Sequence, residues 1–227
     1  MGAPSLLGTA FSVDWKYHSY LVTARHVTLN PNSGNSELDK VYIPIKGTPC
    51  PVSALVDREF FSSNYAESGQ ANFDFTLLRL GDKDSTDLTA FTKPEFISNF
   101  TEIKGHASAL GFPTSKTRAI KREWRFKSKP YVITGKPRHP TETNQIFEIH
   151  LPSGEFRSHR GKRVRYPRLS GMSGGPVIAP ILRIVKAEVP VLAGMAVQKS
   201  AKGDAIVCIG ARSIQSAIEK VDSGALG

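Results

Sequence analysis

Cysteine is scarce: Cys50 and Cys208 are the two in 227 residues. A disulfide-stapled secreted scaffold uses more, so two packed thiols in a reducing compartment are expected, with a single bridge as the alternative. Neither Cys-x-x-Cys nor His-Glu-x-x-His occurs, which leaves a metal site without support. Long apolar runs are missing as well. A membrane-crossing helix needs about 18 consecutive apolar residues, and no such run is present. Met1 to Leu7 lack the basic region and apolar stretch of a signal peptide. Leu6 stands where a myristoylation signal needs Ser or Thr. A cytoplasmic chain that does not enter a membrane, or a piece of a longer protein, is expected. No motif asks for a cofactor.

Acidic residues are the minority charge: 20 Asp and Glu face 30 Lys and Arg, a formal net charge of +10. The apolar content of 40% and charged content of 22% are ordinary for a globular protein. The length suits one large domain or two small ones and buries a core without staples. The basic residues cluster. Lys116, Arg118, Lys121, Arg122, Arg125, Lys127 and Lys129 form one group; Arg157, Arg160, Lys162, Arg163, Arg165 and Arg168 form another. A solvated loop face explains them most simply. The sharper expectation is an exosite for an acidic segment of a protein or peptide substrate, or of a partner. Trp124, Phe126, Tyr131, Phe156 and Tyr166 interleave with these charges, which also fits nucleic-acid contact. Alternation such as Trp124-Arg125-Phe126-Lys127 is equally a half-buried strand, so nucleic acid is the minor alternative.

Three stretches carry the chemistry. Ser170-Gly171-Met172-Ser173-Gly174-Gly175-Pro176 brackets one serine with glycines ahead of an apolar run. Glycine opens backbone conformations closed to other residues, so such a turn can hold Ser173 outward with amides gathered beside it. Tyr20-Leu21-Val22-Thr23-Ala24-Arg25-His26-Val27 ends an apolar strand with a histidine, and Asn72-Phe73-Asp74-Phe75-Thr76-Leu77-Leu78 sets an aspartate at the mouth of another. A serine hydroxyl needs a base near neutral pH, and histidine has the suitable pKa. A carboxylate then fixes the imidazole tautomer and stabilises its cation. The chain order His26, Asp74, Ser173 is the chymotrypsin order.

On these residues the chain resembles the chymotrypsin-fold (trypsin-like) serine peptidases, in the disulfide-free bacterial branch that includes the HtrA proteases. Gly8-Thr9-Ala10-Phe11 is similar to that branch's Gly-Ser-Gly-Phe strand. Thr23-Ala24-Arg25-His26 is similar to Thr-Ala-Ala-His, Asp74-Phe75-Thr76-Leu77-Leu78 to Asp-Ile-Ala-Leu-Leu, and Gly171-Met172-Ser173-Gly174-Gly175-Pro176 to Gly-Asp-Ser-Gly-Gly-Pro. The resemblance implies an all-β fold of two antiparallel six-stranded barrels with a closing C-terminal helix. It implies a serine endopeptidase, selective for a dedicated target, in which Ser173 is nucleophile, His26 base and Asp74 orienter. The backbone N–H groups of Gly171 and Ser173 would hold the oxyanion. Met172 departs from the family, whose zymogens often carry an aspartate there to pair with a freed amino terminus. The turn must then be held by packing, or be completed by a partner, a fused domain or the substrate. Pro167 stands where trypsin has its pocket aspartate, so cleavage after Lys or Arg is not expected; a small or apolar side chain is preferred, with an acidic one open because Arg168 is near. A peptidase fold kept only for binding is the rival reading.

Along the chain, residues 1–105 are expected to form the first barrel and the inter-barrel connection, and 106–227 the second barrel. Gly8 to Val13 and Ser19 to Thr23 read as strands joined by a polar hairpin that includes His18. Val41 to Ile45 reads as an edge strand because of Pro44, and Val52 to Asp57 as another strand. Phe91, Phe96, Ile97 and Phe100 are spaced to pack the connection across the body. Ala107 to Gly111, Trp124 to Thr134, Gln145 to Leu151, Pro176 to Ile184, Val189 to Val197 and Ala205 to Ile209 follow as strands. Ile214, Ala217, Ile218 and Val221 recur at helical spacing, predicting a helix over about 213–222 capped by Ser213 and ended by Gly224.

Overall fold

The computed structural model describes residues 6–29, 37–45, 48–61, 74–81, 90–92, 96–97, 103, 105–116, 118–120, 125–127, 129–138, 145–151, 156–157, 163–164, 169–182 and 188–224. The chain is mostly β. Strands β1 (Ala10–Trp15) and β2 (His18–Thr23) form a hairpin, followed by a single helical turn, α1 (Arg25–Thr28). Then come β3 (Tyr42–Ile45), β4 (Thr48–Pro51), β5 (Val56–Phe61), β6 (Thr76–Leu80) and β7 (Ala90–Thr92). The second half holds β8 (Ala107–Gly111), β9 (Arg118–Ile120), β10 (Arg125–Lys127), β11 (Tyr131–Arg138), β12 (Ile146–His150), β13 (Phe156–Arg157) and β14 (Arg163–Val164). It ends with β15 (Pro176–Leu182), β16 (Glu188–Lys199), β17 (Ala205–Gly210) and helix α2 (Ala211–Asp222).

In the second half, six antiparallel strands close a barrel in the order β11-β12-β17-β16-β15-β8. Alternation drives it: Ala107 and Ala109, Ile133, and Phe147 and Ile149 bury one face of their strands while their neighbours stay partly exposed. Helix α2 packs Ile214, Ala217, Ile218 and Val221 onto β16 and β17. It begins directly from β17, so Gly210 rather than Ser213 is its N-cap, with no side-chain bond there. Gly224 ends it as expected, at φ 73°.

Several elements of the first half differ from expectation. Among the described residues it forms an open five-stranded sheet, β5-β6-β2-β1-β7, in which β7 runs parallel to β1. No closed six-stranded barrel is seen there among the described residues. β3 and β4 pair with each other instead, and Pro44, Pro49 and Pro51 lie in that ribbon. Proline removes the ladder donors that a second neighbour would need. The stretch read as a strand from Val52 is a 3-10 turn over Val52–Ala54, and β5 begins at Val56. Val52 turns inward because it is buried with Leu21, Leu78 and Leu80. His18 belongs to β2 opposite Trp15, leaving a two-residue hairpin loop. Ser19 Oγ donates to Asp14 across that hairpin at 2.6 Å, and Lys16 pairs with Asp222 of α2 at 2.5 Å.

One apolar cluster runs from Phe11, Val13 and Trp15 through Phe96 and Ile97 to Leu192, Ile209 and Ile218. The connection supplies the bridge. Phe96 bridges to Leu192, Ile97 N–H donates to Leu192 O at 3.0 Å, and Phe96 meets Trp15 edge-on at 6.1 Å. Phe91 meets Phe11 the same way at 5.9 Å; Phe100 lies outside the described residues. Both cysteines are free thiols, Cys208 buried in β17 and Cys50 half-buried in β4. Among the described residues no helix is long and apolar enough to cross a membrane.

Removing the bridge tests whether the two halves share stability. Phe96→Ala should lower the unfolding free energy by about 3 kcal/mol. Urea unfolding followed by tryptophan fluorescence and circular dichroism would then show one transition at a lower midpoint. An unchanged midpoint would mean that the connection lies on the core without contributing to it.

Candidate active site

The serine turn is two β-turns in tandem. Met172 N–H bonds to Leu169 O at 2.8 Å and Gly175 N–H to Met172 O at 2.9 Å. Gly171 and Gly174 occupy the third position of each, at φ 90° and 85°. That is the type II pattern, which requires positive φ at this position and explains both glycines. Ser173 becomes the second residue of the second turn. In a β-turn the fourth residue's N–H closes the ring and the central ones stay available. Accordingly, among the described residues, no acceptor takes the N–H of Gly171 or of Ser173. Ser173 is partly exposed, between buried Met172 and buried Gly174.

His26 sits on α1, just past the buried end of β2. Asp74, directly before Phe75 and β6, fastens to this turn at three points. His26 Nδ1 meets Asp74 Oδ2 at 2.5 Å, His26 N–H donates to Asp74 Oδ1 at 3.1 Å, and Arg25 N–H donates to Asp74 O at 3.3 Å. A carboxylate only accepts, so Nδ1 carries the ring proton and Nε2 of neutral His26 is left as a base. The hydrogen bond to Asp74, with that carboxylate's charge, holds the His26 pKa above the ordinary range against the opposing effect of burial. Partial burial pushes the Asp74 carboxyl up. The hydrogen bond and charge of His26, with the N–H groups of His26 and Arg25, outweigh it and hold Asp74 below the ordinary range.

Ser173 comes from the other half of the chain and meets this pair through the stretch at Gly8 and Thr9. Thr9 N–H donates to Ser173 O at 2.8 Å. Gly8 lies so close to the side chain of Val27 and to Ser173 O that a Cβ there would strike both. Gly174 is pressed against Thr9 O, Thr23 Oγ1 and Ala24 N. The turn bearing the serine thus abuts the segment leading into His26. Among the described residues, Ser173 Oγ makes no hydrogen bond, to His26 or elsewhere.

No family model matches the chain, and no curated protein matches it. Geometry carries the reading of the site.

Beside Ser173 lies a pocket of about 340 Å³ lined by Leu169, Ser170, Met172, Ser173, Ala196, Val197, Gln198, Lys199 and Ile206. Its apolar wall is the end of β16, where a bulge falls between Ala196 and Gln198. Such a bulge re-aims side chains next to a site. Lys199 makes no ion pair among the described residues. Pro167, Arg168, Lys121, Arg122, Trp124, Arg160, Lys162, Arg165 and Tyr166, named from sequence, lie outside the described residues; Lys129 is exposed. No group of three or more His, Cys, Asp or Glu that could hold a metal ion occurs among the described residues. Sequence reading gave no role to Thr9, Thr114 or Lys199. Thr9 lies in the Gly8-Thr9-Ala10-Phe11 stretch, but nothing in a linear pattern shows which carbonyls a hydroxyl will reach.

The ion pair has a testable pH signature. The stabilising share of His26, with its raised pKa, is complete below about pH 6.5 and is lost as pH rises through the folded pKa. The share of Asp74, with its lowered pKa, is complete above about pH 4 and is lost as pH falls through the folded pKa. Asp74→Asn should therefore cost stability most between about pH 4 and 6.5, and less on either side. It should also lower the His26 pKa in an NMR titration of the imidazole. A titration unmoved by Asp74→Asn would show that the two groups do not interact in solution.

Proposed function

We propose that the chain is a serine endopeptidase with a chymotrypsin-like arrangement of two barrels, the six strands β11, β12, β17, β16, β15 and β8 forming the second. The observation that carries the reading is the Asp74–His26 contact at 2.5 Å. It leaves Nε2 without a hydrogen bond among the described residues, while the serine turn, packed against the segment leading into His26, presents a serine and two unoccupied amides. Ser173 Oγ attacks the amide carbonyl as His26 Nε2 takes its proton. The N–H groups of Gly171 and Ser173 receive the oxyanion. The carbon–nitrogen bond then breaks, His26 protonates the departing amine, and water repeats the steps on the acyl-enzyme. The Ser173–His26 contact forms when substrate binds, since catalytic hydrogen bonds often tighten only in the complex.

The pocket supports a preference at the cleavage position. Leu169, Met172, Ala196, Val197 and Ile206 make it apolar, and no carboxylate lines it among the described residues. A small or apolar side chain fits; Lys199 opposes a cationic one and would tolerate an anionic one.

One observation favours a second reading, a peptidase fold retained for binding: Ser173 Oγ lacks a bond to His26. Labelling with a fluorophosphonate probe separates the two. Wild type should label at Ser173 and cleave protein substrates, Ser173→Ala should do neither, and Asp74→Asn should lose about 10⁴-fold in kcat. Mapping the new N-termini made by wild type should place small or apolar residues before the cut. Folded wild type that neither labels nor cleaves would support the binding module.

A further inference from the structure

The peptide planes of the serine turn are held one by one. A trans peptide points its C=O and N–H in opposite directions, so anchoring a carbonyl aims the amide behind it. Gly171 N–H shares a peptide with Ser170 C=O, which accepts from Thr114 N–H at 2.8 Å and from Thr114 Oγ1 at 3.2 Å. Ser173 N–H shares a peptide with Met172 C=O, which accepts from Gly175 N–H at 2.9 Å. The peptide between Gly171 and Met172 is held at both ends, by Thr9 Oγ1 at 2.8 Å and by Leu169 O at 2.8 Å. The peptide after Ser173 is also held at both ends, its carbonyl by Thr9 N–H and its amide by Ala196 O, each at 2.8 Å.

Thr9 is the hub. Its residue is buried, and all its polar groups are engaged. Phe112 N–H donates to Thr9 Oγ1 at 3.1 Å. An amide N–H can only donate and a carbonyl only accept, so the hydroxyl proton is directed onto Gly171 O. The peptide most free to turn over is the one next to a glycine. In this turn that freedom is met by Thr114 on one side of Gly171 and Thr9 on the other.

We propose that Thr9 and Thr114 are positioning residues that keep the oxyanion donors aimed in the folded chain. No chain cleavage and no ion pair at Met172 would then be needed to switch the site on. Met172 itself is buried in the core, its Cα against Gly111. The inference rests on the peptidase reading above and adds to it how the site is kept ready.

The test measures kcat and KM separately on a cleaved peptide, together with the affinity of a peptide aldehyde whose adduct needs the oxyanion donors. Thr9→Val keeps the shape and removes the hydroxyl. It should lower kcat by about tenfold to a hundredfold, leave KM within about twofold, and weaken the aldehyde in proportion to kcat. Thr9→Ser should restore most of the loss. Thr114→Val keeps the backbone bond to Ser170 O and should lose less than Thr9→Val. Active wild type with unchanged kcat in folded Thr9→Val would overturn the inference while leaving the peptidase reading intact. A loss that Thr9→Ser does not repair, or that falls on KM, would overturn it too. If Thr9→Val fails to fold, Thr114→Ala decides, and an unchanged kcat there refutes the proposal. Wild type inert toward the fluorophosphonate would instead remove the peptidase reading, and this inference with it.

Discussion

The contact between Thr9 and the serine turn governs the molecule. A hydrogen bond from Thr9 N–H to Ser173 O, and another from Thr9 Oγ1 to Gly171 O, attach the start of β1 to a turn about 160 residues further along. Closing so long a loop is entropically unfavourable, so it depends on the apolar cluster that runs through both halves. The same stretch accepts from Thr23 Oγ1 at 2.8 Å, which leads into α1 and His26. A backbone segment of two residues thereby fixes where the serine lies relative to the imidazole. Side-chain chemistry at the site is a consequence of that seam.

Steric demand is high along the seam, and glycine is placed accordingly. A Cβ at Gly174 would strike Thr9 O, Thr23 Oγ1 and Ala24 N, and the residue adopts φ 85°. No other residue type satisfies both the conformation and the space. The buried methionine beside it fills the core instead of pairing with a charge. The turn is supported by hydrogen bonds to threonines and by packing, two interactions that need no freed terminus.

Much of this was legible in the sequence. The short apolar stretches between turn signals located β8, β12, β15, β16 and β17 within a few residues, and helical spacing located α2. The three motifs named the residues that the fold carries to one seam, with His26 and Asp74 in direct contact. Elements decided by non-local pairing were less visible. Val52 sits in a strand-like run, yet its burial under Leu21 and Leu78 turns the chain there. Pro44 signalled an edge, but not that β3 would pair with β4. β7 joins β1 in parallel, a pairing that no local pattern encodes. Thr9 reads as a strand residue until its hydroxyl is seen between Phe112 N and Gly171 O. His18 was read as a loop because polar neighbours surround it, whereas Ser19 and Asp14 bond across the hairpin and extend the ladder.

The central claim is that the turn around Ser173 offers two amides to a developing negative charge. The most direct measurement is a crystal structure of the protein after reaction with a peptidyl phosphonate. The account predicts phosphorus bonded to Ser173 Oγ, with one phosphonyl oxygen within about 3.1 Å of both Gly171 N and Ser173 N. Phosphorus on another residue would contradict it. So would a Ser173 adduct with Ser170 C=O turned to the face where the Gly171 N–H should be.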